Sequence, residues 1–599
     1  MPAEARKSDF KKFYYLPENA LGTRTRVYPF ELKINAGARY VILKLTGETD
    51  WVFCDEMALI EGDGKSEDYN QAYKKAGISI PMKGLIIQPR LPELAFMSNI
   101  PAPQRFNVED MRDKEERKKA ASLVIELPEP VRLANVKECV SIKRGDQKYV
   151  RYTIPLKNLN SPTVYLAAGT VKDSYGTAYI YALSGDQKQP ETSLPVRMVT
   201  APLLEPFKRL HISLAWMSEG QAMNWPDFFT NWRKLGFNCV STFPRYWNPD
   251  NYKDFAKFVE NAHERNFKVI MNESPIHYMG EKQKAGSEIF CRHSDGEKRR
   301  NFCPSYRGTF FIAEMNRIAR CVEMSRPDFV FFDIECWHNA FSTAPKCSRC
   351  IERQKKSGKN MEEYLYDCGS ELMRELKAEI ARGAAAAKIN MPAVGCYDRQ
   401  PLIPTYAINL FQRDYPKFID MAQPSLYVGG RVREVHENIR ANHKLMKNKQ
   451  IIPWLTSGCY GEFDSYKIEF MVLEAFLNGA GGITYFEWIN FTDSPLDFYY
   501  HVKALASLQP YEDLVADGEI SELKGSNPDL TYSAIKKGNE MLLLVGNYSR
   551  GKPSTTIKLP FKPNVIKDLR ENKIYEAVGE TLTFMVEPEN IRLFYFKGM

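Results

Sequence analysis

The chain has 599 residues, of which 44% are hydrophobic and 26% are charged, and this balance is typical of an ordinary globular protein. It excludes wholesale disorder, a fibrous repeat and a bundle of membrane-spanning helices. The net charge of +8 comes from 82 Lys and Arg against 74 Asp and Glu, and without long basic runs it indicates no nucleic-acid partner. No run of about 18 apolar residues occurs, so we expect no membrane span.

Aromatic residues are the unusual part of the composition. They make up 12% of the chain, with 34 Phe, 32 Tyr and 8 Trp. Aromatic faces stack on flat apolar surfaces, including those of sugar rings, so a saccharide is a candidate ligand. A large hydrophobic core accounts for the same excess, and only the positions of the rings can separate the two explanations.

The first third of the chain alternates between apolar and polar residues. Runs such as YVRYTIPL at 149–156 and TAYIYAL at 177–183 have the period of two that half-buried strands require. We therefore predict an N-terminal β-sandwich domain over residues 1–204. A charged segment at 107–123 interrupts the pattern and is predicted to be a solvated helix.

From residue 209 the pattern changes to eight short apolar runs separated by amphipathic helices. The runs are RLHISLAWM, NCVSTF, KVIMNES, DFVFFDIE, PAVGCYD, QPSLYV, IIPWLTS and GGITYFEW. This alternation predicts a (β/α)8 TIM barrel over residues 205–512. A last period-two region predicts a small C-terminal β-domain over residues 513–599. The predicted fold class is therefore α/β, with the barrel flanked by two β-domains.

Carboxyl groups stand where the chemistry of such a barrel is found, at the carboxyl-terminal ends of the strands. Asp333 and Glu335 end predicted barrel strand 4 and, being two residues apart, point to the same face. Their repulsion raises the pKa of one carboxyl group and leaves the other ionised, as a general acid and its charged partner require. Glu487 ends strand 8, on the far side of the mouth, and is predicted either to act as nucleophile or to bind sugar hydroxyls. The alternative for the strand-4 pair is a loop cap and an ion-pair partner.

Other aromatic and acidic residues fall at the same predicted strand ends. The rings could form a stacking platform and the carboxylates could accept hydrogen bonds from hydroxyl groups, whereas each ring alone could also be a loop anchor. The predicted substrate-binding residues are Trp216, Trp247, Glu273, Trp337, Tyr397, Asp398, Tyr427, Glu462 and Trp488.

The strand-4 segment resembles bacterial (β/α)8 glycoside hydrolases of the family-18 type. DFVFFDIE at 328–335 is similar to the end of the family-18 motif, in which an Asp two residues before the catalytic Glu orients a substrate group. GGITYFEW at 481–488 is similar to the segment that supplies the aromatic floor of the sugar subsite. The resemblance implies that Glu335 is the general acid/base and Asp333 its partner.

A second resemblance is to barrels related to the family-42 β-galactosidases. It is carried by NFCPSYRG at 301–308 and by a loop after strand 4 that contains Cys336, Cys347 and Cys350. In family 42 four cysteines hold a structural zinc, which implies Cys347 and Cys350 as ligands, with Cys303 or Cys291 from the preceding loop. Unpaired thiols or a disulfide are the alternatives, and the two resemblances leave the family open.

These observations predict a glycoside hydrolase that acts on an oligo- or polysaccharide and needs no cofactor for catalysis. The alternatives are a non-catalytic carbohydrate-binding barrel and an enzyme with Asp333 as nucleophile, as in α-galactosidase-like barrels. We expect a secreted, periplasmic or cell-surface protein whose signal peptide has been removed, with the cytoplasm as the alternative location.

Overall fold

The chain divides into two compact units, Met1–Val199 and Thr200–Met599. The structure, a computed structural model, describes the following residues: 16–17, 78–79, 84–89, 93–97, 100–110, 112–157, 162–168, 174–281, 283–293, 295–298, 300–334, 337, 339–398, 415–446, 450–456, 464–487, 495–575 and 579–598.

The first unit is built from β-sheets that share one apolar core. A four-stranded antiparallel sheet runs in the order Leu85–Pro89, Ala102–Asp110, Thr163–Ala168, Val131–Leu133. The larger sheet runs in the order Leu94–Met97, Thr192–Val199, Ser174–Ser184, Ala121–Pro128, Gln147–Pro155, Val140–Arg144, with Gln187–Lys188 beside Ser174–Ser184. Its pairs are antiparallel except the first, and Leu16–Pro17 pairs separately with Ile78–Ser79. Alternate side chains of both sheets meet in the core, as the period-two pattern predicts.

The prediction of a helix at 107–123 is wrong. Strands occupy Ala102–Asp110 and Ala121–Pro128, and between them the described residues form a single 3-10 turn, Glu116–Lys118. The buried side chain of Arg112 fixes the turn, because its guanidinium donates to Asp110 at 2.8 Å and to the carbonyl oxygen of Glu116 at 3.1 Å. Arg112 is thus a buried residue that stabilises the turn, whereas the charge pattern predicted a solvated segment.

The second unit contains a nearly closed barrel of parallel strands, as predicted. Barrel strands 1 to 8 are His211–Trp216, Cys239–Thr242, Lys268–Glu273, Phe329–Phe332, Ala393–Asp398, Met421–Leu426, Trp454–Leu455 and Gly482–Glu487, with Gln450–Ile451 as a separate first piece of strand 7. Neighbouring strands pair in the order 1-8-7-6-5-4-3-2. Strands 1 and 2 are joined by side chains: Asn238 accepts from the Ile212 N–H at 2.9 Å, and Ser241 donates to the Leu214 carbonyl oxygen.

Helices cover the outside of the barrel. The longer ones are Tyr252–Glu264, Thr309–Ser325, Ser348–Ser357, Met361–Ala387, Arg433–Leu445, Lys467–Leu477 and Pro495–Leu508. Shorter helices are Glu219–Asn224, Phe228–Lys234, His277–Glu281, Ala340–Thr343, Tyr415–Phe418 and Glu512–Asp517. Two of them begin at polar caps: the side chain of Asn360 accepts from the Glu363 N–H, and Ser218 forms a capping box with Gln221. Among the helices that the structure describes, none combines the length and the apolar composition of a membrane-spanning segment.

The C-terminal part of the second unit is an antiparallel β-domain, again as predicted. Its larger sheet runs in the order Glu519–Ile520, Thr531–Lys537, Glu540–Asn547, Asn590–Gly598, Pro563–Asp568, Lys573–Tyr575, and Ser554–Lys558 pairs with Thr581–Met585. Side chains of both sheets form one core. The predicted boundaries at 204/205 and 512/513 stay predictions.

Candidate functional site

One row of side chains on each barrel strand faces the interior. A single apolar cluster takes members from all eight strands, including Phe329 and Phe331 of strand 4. Because side chains alternate along a strand, the row continues to Asp333, just beyond the end of strand 4. The Asp333 N–H donates to the Glu273 carbonyl oxygen at 2.9 Å, which extends the strand 3–4 ladder by one residue. Asp333 is half-buried and therefore lies at the mouth of the barrel.

The other two predicted catalytic carboxylates are only partly covered by the structure. Glu335 lies outside the described residues. The backbone of Glu487 ends strand 8 and pairs with Trp216 of strand 1, while its side chain lies outside the described part. In the observed strand order, strand 8 is four places from strand 4, so the two strands lie on opposite sides of the barrel.

Strands 5 to 8 contribute an aromatic wall to the interior, which consists of Tyr397, Tyr427, Trp454 and Phe486. The ring of Tyr397 lies 6.1 Å from Tyr427 and 5.3 Å from Trp454, and Tyr427 lies 5.3 Å from Phe486, centroid to centroid. Tyr427 and Phe486 are half-buried, whereas Trp454 is 1% exposed. Tyr397 and Tyr427 were predicted as site residues. Phe486 and Trp454 were not, although the alternation of side chains along strands 8 and 7 places both rings in the barrel interior.

Trp216 lies on the other side of the mouth, at the end of strand 1. Its ring stacks on Phe243 at 5.1 Å with 25° between the planes, and the Arg245 guanidinium carbon lies 5.7 Å from its centroid. The Trp216 indole N–H is buried and has no hydrogen-bond partner among the described residues. The half-buried Trp216 therefore presents an aromatic ring and an indole N–H that donates no hydrogen bond to the described residues.

Trp247 is held in place by a carboxylate that the sequence analysis did not single out. Its indole N–H donates to Glu219 at 3.0 Å, and the same Glu219 oxygen accepts from the Phe243 N–H at 2.8 Å. The Trp247 ring packs against Tyr252 and Phe255 and is 8% exposed. Burial raises the pKa of Glu219, although these hydrogen bonds partly offset the effect. These contacts are those of a loop anchor.

Glu273 faces the helices and not the barrel interior. It follows Asn272, which belongs to the interior row of strand 3 and donates to the Ala215 carbonyl oxygen at 2.8 Å. Both Glu273 oxygens accept from Arg317 of the helix Thr309–Ser325, at 3.0 and 2.9 Å. Arg317 also donates to Glu314, at 2.7 Å. Glu273 is therefore one partner in a buried ion-pair network.

The remaining predicted binding residues are placed as follows. Trp337 follows strand 4, is 4% exposed, and its indole N–H has no hydrogen-bond partner among the described residues. The backbone of Asp398 ends strand 5, but its side chain lies outside the described part. Glu462 and Trp488 also lie outside it.

Four buried cysteines meet beside the loop that follows strand 4. Cys291 and Cys303 come from the segment between strands 3 and 4, and Cys347 and Cys350 come from the start of the helix Ser348–Ser357. Their sulfur atoms all lie within 4.8 Å of one another. The Cys303 sulfur lies 3.8 Å from that of Cys347 and 3.5 Å from that of Cys350. These distances are too long for a disulfide, in which the sulfurs are about 2 Å apart.

The cluster has the dimensions of a tetrahedral thiolate site. Four sulfurs at about 2.3 Å from a central zinc are separated by roughly 3.8 Å. The cluster also has an outer contact, since the Arg292 N–H donates to the Cys347 sulfur at 3.3 Å. It can therefore hold a structural metal. The three predicted ligands Cys303, Cys347 and Cys350 are together, and Cys291 completes the set.

Neither a protein-family model nor a curated protein sequence matches this chain. Among solved structures it is similar to a family-27 β-L-arabinopyranosidase from Geobacillus stearothermophilus in complex with arabinose, with TM-score 0.44 and 10% identity over 65% of this chain and 98% of that one. It is also similar to a family-30 endoxylanase from Clostridium papyrosolvens, with TM-score 0.40 and 10% identity over 66% and 99%. α-Galactosidase I from Mortierella vinacea gives 0.40 and 9% over 65% and 97%. These are distant similarities to glycoside hydrolase barrels, and the chemistry of this chain depends on its own residues.

Proposed function

We propose that this protein is a glycoside hydrolase that cleaves an oligo- or polysaccharide at the carboxyl-terminal mouth of its barrel. The position of Asp333 carries the proposal: a half-buried carboxyl group continues the interior row of strand 4 into the mouth. Strands 5 to 8 line the same interior with aromatic rings. A few polar groups beside aromatic surface are the combination that sugar-binding sites use.

The proposed roles follow from the strand ends. Glu335, two residues after Asp333, acts as the general acid/base that protonates the leaving oxygen. Asp333 orients a substrate group or stabilises the positive charge that develops on the sugar. Glu487, on the opposite strand 8, either attacks the anomeric carbon or binds hydroxyl groups. Tyr397, Tyr427 and Trp216 provide stacking surfaces.

The test is the Glu335→Gln variant, measured on a panel of aryl glycosides and polysaccharides. Removing the proton donor should lower kcat by about 10²- to 10⁴-fold while sugar binding is retained. Glu323→Gln, on an exposed position of the helix before strand 4, is the matched control and should keep full activity. Full turnover by Glu335→Gln would exclude the assigned role.

Two further outcomes separate the alternatives. If the wild-type chain binds saccharides from the panel but cleaves none, it is a carbohydrate-binding barrel. If a 2-deoxy-2-fluoro glycoside labels Asp333 covalently, then Asp333 is the nucleophile and not a positioning group.

We also propose that Cys291, Cys303, Cys347 and Cys350 bind one Zn²⁺. All four thiols are buried and the set is complete, which is typical of a structural site without an open position for water. The metal would supply no chemistry to the reaction. It would fasten the segment between strands 3 and 4 to the segment that follows Asp333.

A further inference from the structure

Arg245 is a buried cation at the mouth of the barrel that the proposed reaction does not use. It lies in the 3-10 turn Pro244–Tyr246, directly after strand 2. Its side chain is only 4% exposed. The position is the carboxyl-terminal end of a barrel strand, where ligand contacts are made in this fold.

The guanidinium of Arg245 makes no hydrogen bond to the described residues, and its Nε is fully buried. Among the described residues, the carboxylate of Glu273 approaches it, with Oε2 at 3.9 Å from Nη1 of Arg245. Both oxygens of Glu273 are already engaged by Arg317, at 3.0 and 2.9 Å. Arg245 therefore has a counter-charge nearby, but its buried Nε–H has no acceptor among the described residues, an arrangement that is costly unless a ligand supplies one.

Two further polar atoms without hydrogen-bond partners among the described residues lie on the neighbouring strands 1 and 3. The half-buried Trp216 ring lies 5.7 Å from the guanidinium carbon, and its buried indole N–H is a second donor without a partner. On strand 3 the amide oxygen of Asn272 is a buried acceptor without a partner, because only the amide nitrogen of that side chain is engaged. This part of the mouth thus offers a flat ring, a guanidinium, one neutral donor and one acceptor.

We propose that the mouth beside strands 1 to 3 is a subsite for an anionic saccharide, one that carries a carboxylate or a sulfate ester. The proposal rests on the proposed function and names its substrate class. Arg245 would hold the anionic group, because the guanidinium fork matches the oxygens of a carboxylate or sulfate and such charge-assisted bonds are strong. The sugar ring would contact the part of Trp216 that Phe243 leaves uncovered, and one of its hydroxyls would donate to Asn272.

Matched sugar pairs test the subsite. The probes are glucuronate against glucose, galacturonate against galactose, and galactose 6-sulfate against galactose, with affinities from calorimetry or tryptophan fluorescence. We expect at least one anionic member to bind tenfold or more tighter than its neutral partner. A preference for the uronates identifies a carboxylate, and a preference for galactose 6-sulfate identifies a sulfate ester.

Variants show whether Arg245 is responsible. Arg245→Gln should abolish the preference for the anionic member, whereas a merely structural role would weaken both members of a pair equally. Arg245→Lys keeps the positive charge but lacks the paired N–H donors of the guanidinium, so it should retain part of the preference. This variant tests the proposal if Arg245→Gln does not fold. The control is Arg382→Gln, an exposed arginine that pairs with Glu379 on a barrel helix.

Two results would overturn the proposal in distinguishable ways. Equal binding of both members of every pair rejects the anionic subsite and leaves the proposed carbohydrate chemistry standing. Failure to bind or cleave any saccharide rejects the proposed function as well.

Discussion

Glu219 positions two aromatic residues near the mouth, Phe243 and Trp247, through hydrogen bonds. One of its carboxylate oxygens accepts from the Phe243 N–H and from the Trp247 indole N–H, at 2.8 and 3.0 Å. The residue is 2% exposed, so neither donor can turn to water if the carboxylate is removed. Phe243 in turn supports the ring of Trp216. One acidic side chain outside the mouth thus positions a proposed stacking surface inside it.

We predict that Glu219→Ala lowers the free energy of unfolding by about 2 to 4 kcal/mol, because two buried donors lose their acceptor. Glu219→Gln keeps an acceptor oxygen and should cost about 1 kcal/mol or less. Denaturant unfolding followed by tryptophan fluorescence measures both variants. Equal destabilisation by Ala and Gln would show that the acceptor oxygen is not what matters at this position.

The residues of the site could be predicted only in part from the sequence. The position of Asp333 follows from alternation along strand 4, because Phe329 and Phe331 mark the same row. The predicted strand 3 ends with Asn272 and Glu273, and only Glu273 was predicted as a binding residue. The structure gives the interior position to Asn272, since Arg317, far away in sequence, pairs with Glu273 on the helix side. The sequence around strand 3 does not show that Glu273 has this ion-pair partner, so its orientation could not be predicted.

At the scale of elements, the barrel strands were predicted well because parallel strands buried on both faces are continuous apolar runs. Strand 4, Phe329–Phe332, is buried at every position. The deviations have local causes: the predicted strand 7 is divided at Pro453, which has no N–H to donate to the ladder. The charged segment at 107–123 was misread because the buried Arg112 could not be distinguished from its solvated neighbours.

The cysteine cluster connects two elements that a barrel otherwise leaves separate. Cys291 and Cys303 lie before the helix Thr309–Ser325, while Cys347 and Cys350 lie after strand 4. Backbone contacts bring the two segments together, since the Ser348 N–H donates to the Arg292 carbonyl oxygen at 3.0 Å. A bound metal would fix the far end of the segment that begins at Asp333.

We predict one Zn²⁺ per chain in protein purified without chelators, measured by elemental analysis. Removing it should destabilise this region by a few kcal/mol, because metal binding and local folding are coupled. A thiol-specific mercurial should release the metal, lower the thermal midpoint and open the segment 291–303 to proteolysis.

The variants for this experiment are Cys347→Ser with Cys350→Ser, and Cys368→Ser as control. The double variant should lose the zinc. Cys368 is a buried free cysteine outside the cluster, so its variant should keep the metal. Metal-free wild-type protein with the same thermal midpoint and cleavage pattern as zinc-loaded protein would refute the structural role.

At the scale of the whole molecule, the barrel and the C-terminal β-domain are joined by a buried carboxylate within the unit Thr200–Met599. Glu474, on the barrel helix Lys467–Leu477, is 0% exposed. It accepts hydrogen bonds from Thr531 at 3.0 Å, Ser533 at 2.5 Å and Tyr548 at 2.5 Å, all in the C-terminal domain. His436 of a neighbouring barrel helix approaches it to 3.4 Å. The predicted small third domain is thus fastened to the barrel by specific polar contacts.

This contact should make the stability of the unit depend on pH. Burial opposes ionisation of Glu474, but interactions with His436, Ser533 and Tyr548 outweigh it and hold the carboxyl pKa below its usual range. A carboxyl group whose pKa is lower in the folded state stabilises the fold above its unfolded pKa, which is about 4.3. The stabilisation is lost as the pH falls from that value through the folded pKa.

We therefore expect Glu474→Gln to be less stable than the wild type by on the order of 3 kcal/mol at pH 7, because buried hydrogen bonds to a charged acceptor are weakened. The difference should shrink as the pH is lowered from about 5 to about 3, since the wild-type carboxyl group then becomes neutral as well. Calorimetric unfolding across this range measures it. Glu437→Gln, exposed on the helix Arg433–Leu445, should follow the wild type at every pH. A difference between Glu474→Gln and the wild type that stays constant down to pH 3 would mean that the network stabilises the unit by shape alone and not by the charge of Glu474.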